Sequence, residues 1–92
     1  MFGTRLKELR TSHGITQVQL AKELGVSKQC ISNWENDNIL PSIDMLVHIS
    51  RYFCISCDYL LELEEKITLD ITDLTLEQRA LMQQLLKQFS QK

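Results

Sequence analysis

Two helix-start signals flank a single glycine in the first third of this chain, and that pattern constrains the fold more than any other feature. Thr16-Gln17-Val18-Gln19 reads T-x-x-Q. In such a box the threonine oxygen accepts from the third backbone N–H of a helix, and the glutamine reaches back to the threonine N–H. Leu20, Ala21 and Leu24 give this helix a buried face, and Gly25 stops it. Ser27 caps a second, polar helix running to about Glu35, with Ile31 and Trp34 as its apolar residues. A joint this short forces the two axes apart at a steep angle.

The flanking segments are helical too. Phe2, Leu6 and Leu9 form one stripe, ended by His13-Gly14. Pro41-Ser42 opens a helix with Ser42 as cap, Asp44 in the first turn, and Leu46, Ile49 and Phe53 facing inward. Ser56 caps a short helix from Cys57 to about Leu61, which sets Leu60 and Leu61 against the core. The expected core is Leu6, Leu9, Leu20, Leu24, Ile31, Trp34, Leu46, Ile49, Phe53 and Leu60. The fold class is therefore all-α: a five-helix domain over residues 1–62, followed by a linker over 63–74. Within the linker, Ile67-Thr68-Leu69-Asp70-Ile71 alternates with period two and reads as an extended arm. Thr75-Leu76-Glu77-Gln78 is a second T-x-x-Q box, opening an amphipathic helix over 75–90 with Leu81, Met82, Leu85, Leu86 and Phe89 as its stripe.

Charge gives no hint of a nucleic-acid partner. Ten basic against twelve acidic residues leave a net −2. Residues 1–56 hold six basic and five acidic, and residues 57–92 hold four and seven. Any claim of DNA binding must rest on local geometry. That geometry is on the second short helix. At about 100° per residue from Lys28, Ser32 falls near 40°, Asn36 near 80°, Gln29 near 100° and Asn33 near 140°. Ser27, Cys30, Ile31 and Trp34 occupy the opposite arc. The outer face holds amides, a hydroxyl and an ammonium but no carboxylate. Asn and Gln side chains can pair with adenine N6 and N7, and Lys with guanine O6 and N7, from a helix in the major groove. An ordinary solvated helix face usually carries glutamate as well.

The stretch TQVQLAKELGVSKQCISNWEND resembles the helix-turn-helix of the Cro/phage-repressor-like (lambda-repressor-like) family of DNA-binding regulators. Supporting elements are Leu6-x-x-Leu9-Arg10, Gly14-Ile15-Thr16-Gln17, Leu20-Ala21, Gly25-Val26-Ser27, Ile31-Ser32-x-Trp34-Glu35, Pro41-Ser42 and Asp58-Tyr59-Leu60-Leu61, so the resemblance covers Phe2 to Leu61. It implies base contacts from Lys28, Gln29, Ser32 and Asn33, and phosphate contacts from Gln17, Ser27 and Asn36. It also implies a structural pair between Arg10 and Glu35, with a phosphate contact as the competing role of Arg10. The pattern departs from the family in two places. Cys54 stands where relatives often have glycine, and Asn36-Asp37-Asn38 lacks their basic residues.

Other chemistry is set aside. The Cys54-Ile55-Ser56-Cys57 pair could in principle bind metal or sense redox state, but structural zinc needs four ligands and no second C-x-x-C or H-x₃-H is present. Three cysteines, an odd count, do not read as a disulfide framework. No nucleophile–base pair or phosphate loop occurs at useful spacing, so neither catalysis, cofactor nor metal is expected. No apolar run reaches the ~18 residues of a membrane span, and MFGTRLKELR has no apolar stretch like a signal peptide, so a soluble cytoplasmic chain is expected. The expected partners are double-stranded DNA and a second copy, paired through the stripe of the last helix. Rival readings are a protein-binding module such as an antitoxin, and a thiol- or metal-responsive sensor on the same fold.

Overall fold

The computed structural model describes residues 1–69 and 71–90, the side chain of Ser90 excepted. Asp70, inside the expected arm, lies outside the described residues. Six helices follow in order: α1 Phe2–Ser12, α2 Gln17–Leu24, α3 Lys28–Glu35, α4 Ile43–Phe53, α5 Cys57–Leu60 and α6 Leu76–Ser90. Among the described residues no strand forms. A single antiparallel bridge joins Ile55 to Leu69, so the period-two segment is an arm touching the domain at one point.

The helix starts follow the capping residues. Thr16 and Gln19 form both bonds of the box, at 3.1 and 2.7 Å. Thr75 and Gln78 form the same pair, at 2.9 and 3.1 Å. Ser27, Ser42 and Ser56 accept from Cys30, Met45 and Tyr59. The N-terminus of α1 is satisfied from a distance: Asp37 Oδ1 accepts from the Gly3 N–H at 2.9 Å.

The helix ends share one device. After each of α1 to α5 a residue turns left-handed, and its N–H and the next pair back to the last helical turn. The five residues are Gly14, Gly25, Asp37, Cys54 and Glu62, with φ between 55 and 70°. Only two are glycine. Cys54 ends α4 with the geometry glycine would adopt, at φ 55°, ψ 41°. A side chain in that region costs roughly 1–2 kcal/mol, partly offset by the lower unfolded-state entropy of a non-glycine residue. Cys54→Gly is therefore expected to stabilise by about 0.5–1 kcal/mol, read as a higher midpoint in thermal unfolding.

Phe2, Leu6, Leu20, Ala21, Leu24, Ile31, Trp34, Ile49, Phe53, Ile55 and Leu60 form one buried cluster. Leu9 and Leu46 pack against it but are only partly buried. Leu61 corrects the expectation: it is exposed, because α5 ends at Leu60 and the chain turns away through Glu62. Ile55 takes a core place instead, carried inward as the residue after left-handed Cys54. Arg5 closes the α1–α5 contact by donating to the Tyr59 carbonyl at 3.1 Å and lying 4.0 Å over the Tyr59 ring.

Candidate nucleic-acid interface

The outward face of α3 is built by the residues the helical wheel selected. Lys28, Gln29 and Asn36 are exposed, while Ser32 and Asn33 are half-buried at the edge of the face. Gln29 Nε2 donates to Asn33 Oδ1 at 3.2 Å, and Asn36 Nδ2 donates to Ser32 Oγ at 3.3 Å. Both pairs are one helical turn apart, so the side chains are aligned along α3 before any partner arrives. Each amide retains donor and acceptor capacity beyond these bonds.

Behind this face lies a buried cluster of charge and amide. Glu35, the last residue of α3, has a side chain only 3% exposed, and its partner Arg10 is 11% exposed. Arg10 Nε donates to Glu35 Oε2 at 2.6 Å, and Nη2 to Oε1 at 3.2 Å. Arg10 Nη1 donates to the Ile15 carbonyl at 2.9 Å. Gln17 Nε2 adds a bond to Glu35 Oε1 at 3.0 Å. One carboxylate thus ties α1, the α1–α2 turn and the start of α2 to the end of α3. With three of its nitrogens engaged inside the protein, Arg10 acts here as a brace. The bidentate geometry is the strong form of such a bond.

Gln17 and Lys28 open into one shallow concavity, bounded also by Arg10, Thr11, Gly14, Ile15, Thr16 and Val18. The first turns of α2 and α3 therefore face the same space. Ser27 is exposed; its oxygen accepts from Cys30 N–H at 3.1 Å, leaving the hydroxyl proton as a donor. The structure thus brings Gln17 and Lys28 to one concavity, with Gln29 paired to Asn33 and Ser32 to Asn36 along α3.

Asp37 has a role that the sequence did not show: its carboxylate accepts from the Gly3 N–H, across the junction of α1 and α3. Gly3 itself is a contact point. A Cβ there would lie 2.3 Å from the Glu35 carbonyl oxygen. An aspartate just after a helix and a glycine inside another were visible signals, but nothing in one sequence pairs them.

Cys54 and Cys57 lie at the α4–α5 turn, apart from α3. Cys54 is exposed, and Cys57 is half-buried at the start of α5. Ile55, in its bridge to Leu69, and Ser56, at φ −76°, ψ 152°, are extended between them. That places the two Cα atoms roughly 9–10 Å apart, beyond the ~7 Å reach of a disulfide without backbone movement. Among the described residues, no three His, Cys, Asp or Glu side chains are grouped to hold a metal ion, and no helix is long and apolar enough to cross a membrane.

A five-helix domain with its second and third helices joined at a glycine turn, and an amide-rich third helix facing out, defines the helix-turn-helix class. The chain belongs to the Helix-turn-helix family, whose model matches residues 6–60. It is 43% identical over 72 residues to the HTH-type transcriptional activator BcrR of Enterococcus faecalis, covering 78% of this chain and 35% of that protein. Two solved structures share the fold. The P22 c2 repressor in complex with a synthetic operator superposes with a TM-score of 0.63 at 35% identity, over 65% of this chain and 91% of that one. The SinR protein/SinI protein complex gives 0.65 at 28% identity, over 97% and 87%. The chain spans between 35% and 58% of the length of the first curated relatives it matches.

Proposed function

We propose that this protein is a transcription regulator, chiefly a repressor, that binds a pseudo-palindromic operator on cytoplasmic DNA as a homodimer. The observation that carries the reading is the carboxylate-free face of α3, fixed from behind by the Arg10–Glu35–Gln17 cluster. Lys28, Gln29, Ser32 and Asn33 meet base edges in the major groove. Gln17, Ser27 and Asn36 meet phosphate oxygens on either side. The P22 c2 repressor, similar over this same domain, was solved on operator DNA, which supports this use of the face. Repression requires only occupancy of the operator.

The test separates the two kinds of contact. Gln29→Ala is expected to lose roughly 1–3 kcal/mol of discrimination at one base pair. Gln17→Ala is expected to weaken all sequences alike, because a phosphate contact carries no base information. Selection from random DNA by each variant reads both outcomes. An unchanged preferred site with Gln29→Ala would show that α3 is oriented differently on DNA.

The dimer is assigned to α6. Leu81, Leu85, Leu86 and Phe89 are exposed and Met82 is half-buried, on a helix that follows a complete core. Leaving such a stripe in water forgoes ~1.5–3 kcal/mol for each large side chain that could be fully buried. A pair of domains reads two half-sites about one DNA turn apart. Removing residues 73–92 is expected to leave a folded monomer in light scattering, with operator affinity reduced roughly tenfold or more and half-site preference unchanged.

A further inference from the structure

Lys28 is the one cation that α3 carries, and the turn after α3 carries none. From Lys28 to Ser42 the chain reads KQCISNWENDNILPS, in which the other charges are the carboxylates of Glu35 and Asp37. Ile39 and Leu40 stand exposed in that turn, where a charged clamp on phosphate would need lysine or arginine. The remaining basic residues are engaged or carried elsewhere. Arg10 borders the concavity that Gln17 and Lys28 share, but Glu35 balances its charge at 2.6 Å. Arg5 lies over the Tyr59 ring at the α1–α5 contact, and Arg51 borders a hollow at the α4–α5 turn with Cys54 and Cys57. Lys7 and Lys22 are exposed on α1 and α2, beside Glu8 and Glu23 in sequence, and neither borders that concavity. Lys66, Arg79 and Lys87 belong to the arm and α6.

We infer that this chain holds DNA phosphates chiefly with neutral donors, so that its affinity for an operator depends only weakly on salt and random DNA is bound feebly. This rests on the operator reading above. The donors are in place. Gln17 keeps one Nε2 hydrogen beyond its bond to Glu35, Asn36 keeps one Nδ2 hydrogen beyond its bond to Ser32, and Ser27 keeps its hydroxyl proton. Each can donate to a phosphate oxygen without neutralising it, and so without releasing a counterion. A protein cation at a phosphate does release one, and log K then falls against log salt with a slope of about −0.9 per phosphate neutralised. One cation, Lys28, in each of two domains gives a slope of about −1.8. A fourfold rise in salt then weakens binding roughly tenfold, against about 10³–10⁵ for a protein with six to ten charged contacts. Random DNA offers phosphates but no matching base edges, and binding to it is almost wholly electrostatic. Discrimination by this chain therefore comes from a weak background as well as from the base contacts of Lys28, Gln29, Ser32 and Asn33.

Fluorescence anisotropy of full-length chains on a duplex selected from random DNA, titrated at several potassium chloride concentrations, decides it. The expected slope of log K against log salt is about −2, and a random duplex of the same length is expected to bind more weakly than ~10⁻⁴ M at physiological salt. Asn36→Lys replaces a neutral donor by a cation at an exposed position. It is expected to steepen the slope by about 1.8 for two domains and to tighten binding to the random duplex, with helical content unchanged by circular dichroism. A slope of about −4 or steeper in the unmodified chain, which needs more than two neutralised phosphates per domain, would overturn the inference and leave the operator reading standing. Asn36→Lys with an unchanged slope would overturn it too, since the amide it replaces would then not be at a phosphate. Selection that enriches no site even at low salt would overturn the operator reading itself, and the inference with it.

Discussion

Replacing Arg10 by methionine is expected to remove about 3–5 kcal/mol of stability, much of what a domain of this size possesses. The magnitude follows from burial rather than from the count of bonds. Glu35 is nearly inaccessible to solvent, so its charge cannot be rehydrated when Arg10 is lost. The Gln17 amide would remain as a donor to Glu35, but a neutral amide does not balance a carboxylate. The Ile15 carbonyl would lose its Arg10 bond as well. Urea unfolding followed by circular dichroism measures the loss as a lower midpoint at constant slope. The double variant Arg10→Met with Glu35→Leu is expected to recover most of the stability, because a buried pair replaced by apolar groups of similar volume is often neutral. DNA binding should not recover with it. Gln17 would no longer be held by Glu35, and α3 would lose its polar tie to the α1–α2 turn. A double variant as unstable as the single one would show that the cluster's shape, rather than its charge balance, holds the helices.

The features legible in the sequence are those written locally. Each serine or threonine cap is followed within a turn by the N–H it satisfies, so five of the six helix starts could be located from neighbours in sequence. The amide face of α3 was likewise readable, since helical periodicity alone sorts Lys28, Gln29, Ser32 and Asn33 from Ile31 and Trp34. The Arg10–Glu35 pairing was within reach only through the family resemblance, which implied it. What was not legible carries no residue type that announces it. The left-handed closures at Asp37 and Glu62 carry no glycine to announce them. The burial of Ile55 and exposure of Leu61 follow from how α4 and α5 end, which shifts the inward register relative to a simple helical stripe. The arm illustrates the same limit: alternation of apolar and polar residues indicated extension, yet its docking at Leu69 was set by the edge that Ile55 offers.

Gly3→Ala tests the tightest junction in the domain. The added Cβ would stand 2.3 Å from the Glu35 carbonyl oxygen and 2.7 Å from that of Trp34. Both are backbone atoms at the end of α3, so no side chain can rotate out of the way. Relief requires moving the start of α1 away from the end of α3. That movement also stretches the 2.9 Å bond from Gly3 N–H to Asp37, the one that satisfies the start of α1. The expected loss is about 3 kcal/mol, the upper end for overpacking, or roughly a 12–24 °C fall in melting temperature for a domain this small. Gly14→Ala provides the contrast. Gly14 has φ +68° and nothing within 4 Å of its built Cβ, so alanine there meets only backbone strain, worth about 1–2 kcal/mol. The two variants make the same chemical change, and only the first should alter DNA recognition. Displacing α1 shifts Glu35, and with it the seat of Gln17 behind α3, so operator affinity for Gly3→Ala should fall even at temperatures where the protein is fully folded. Equal melting temperatures for the two variants, with equal operator affinity, would show that α1 and α3 can separate without disturbing the interface.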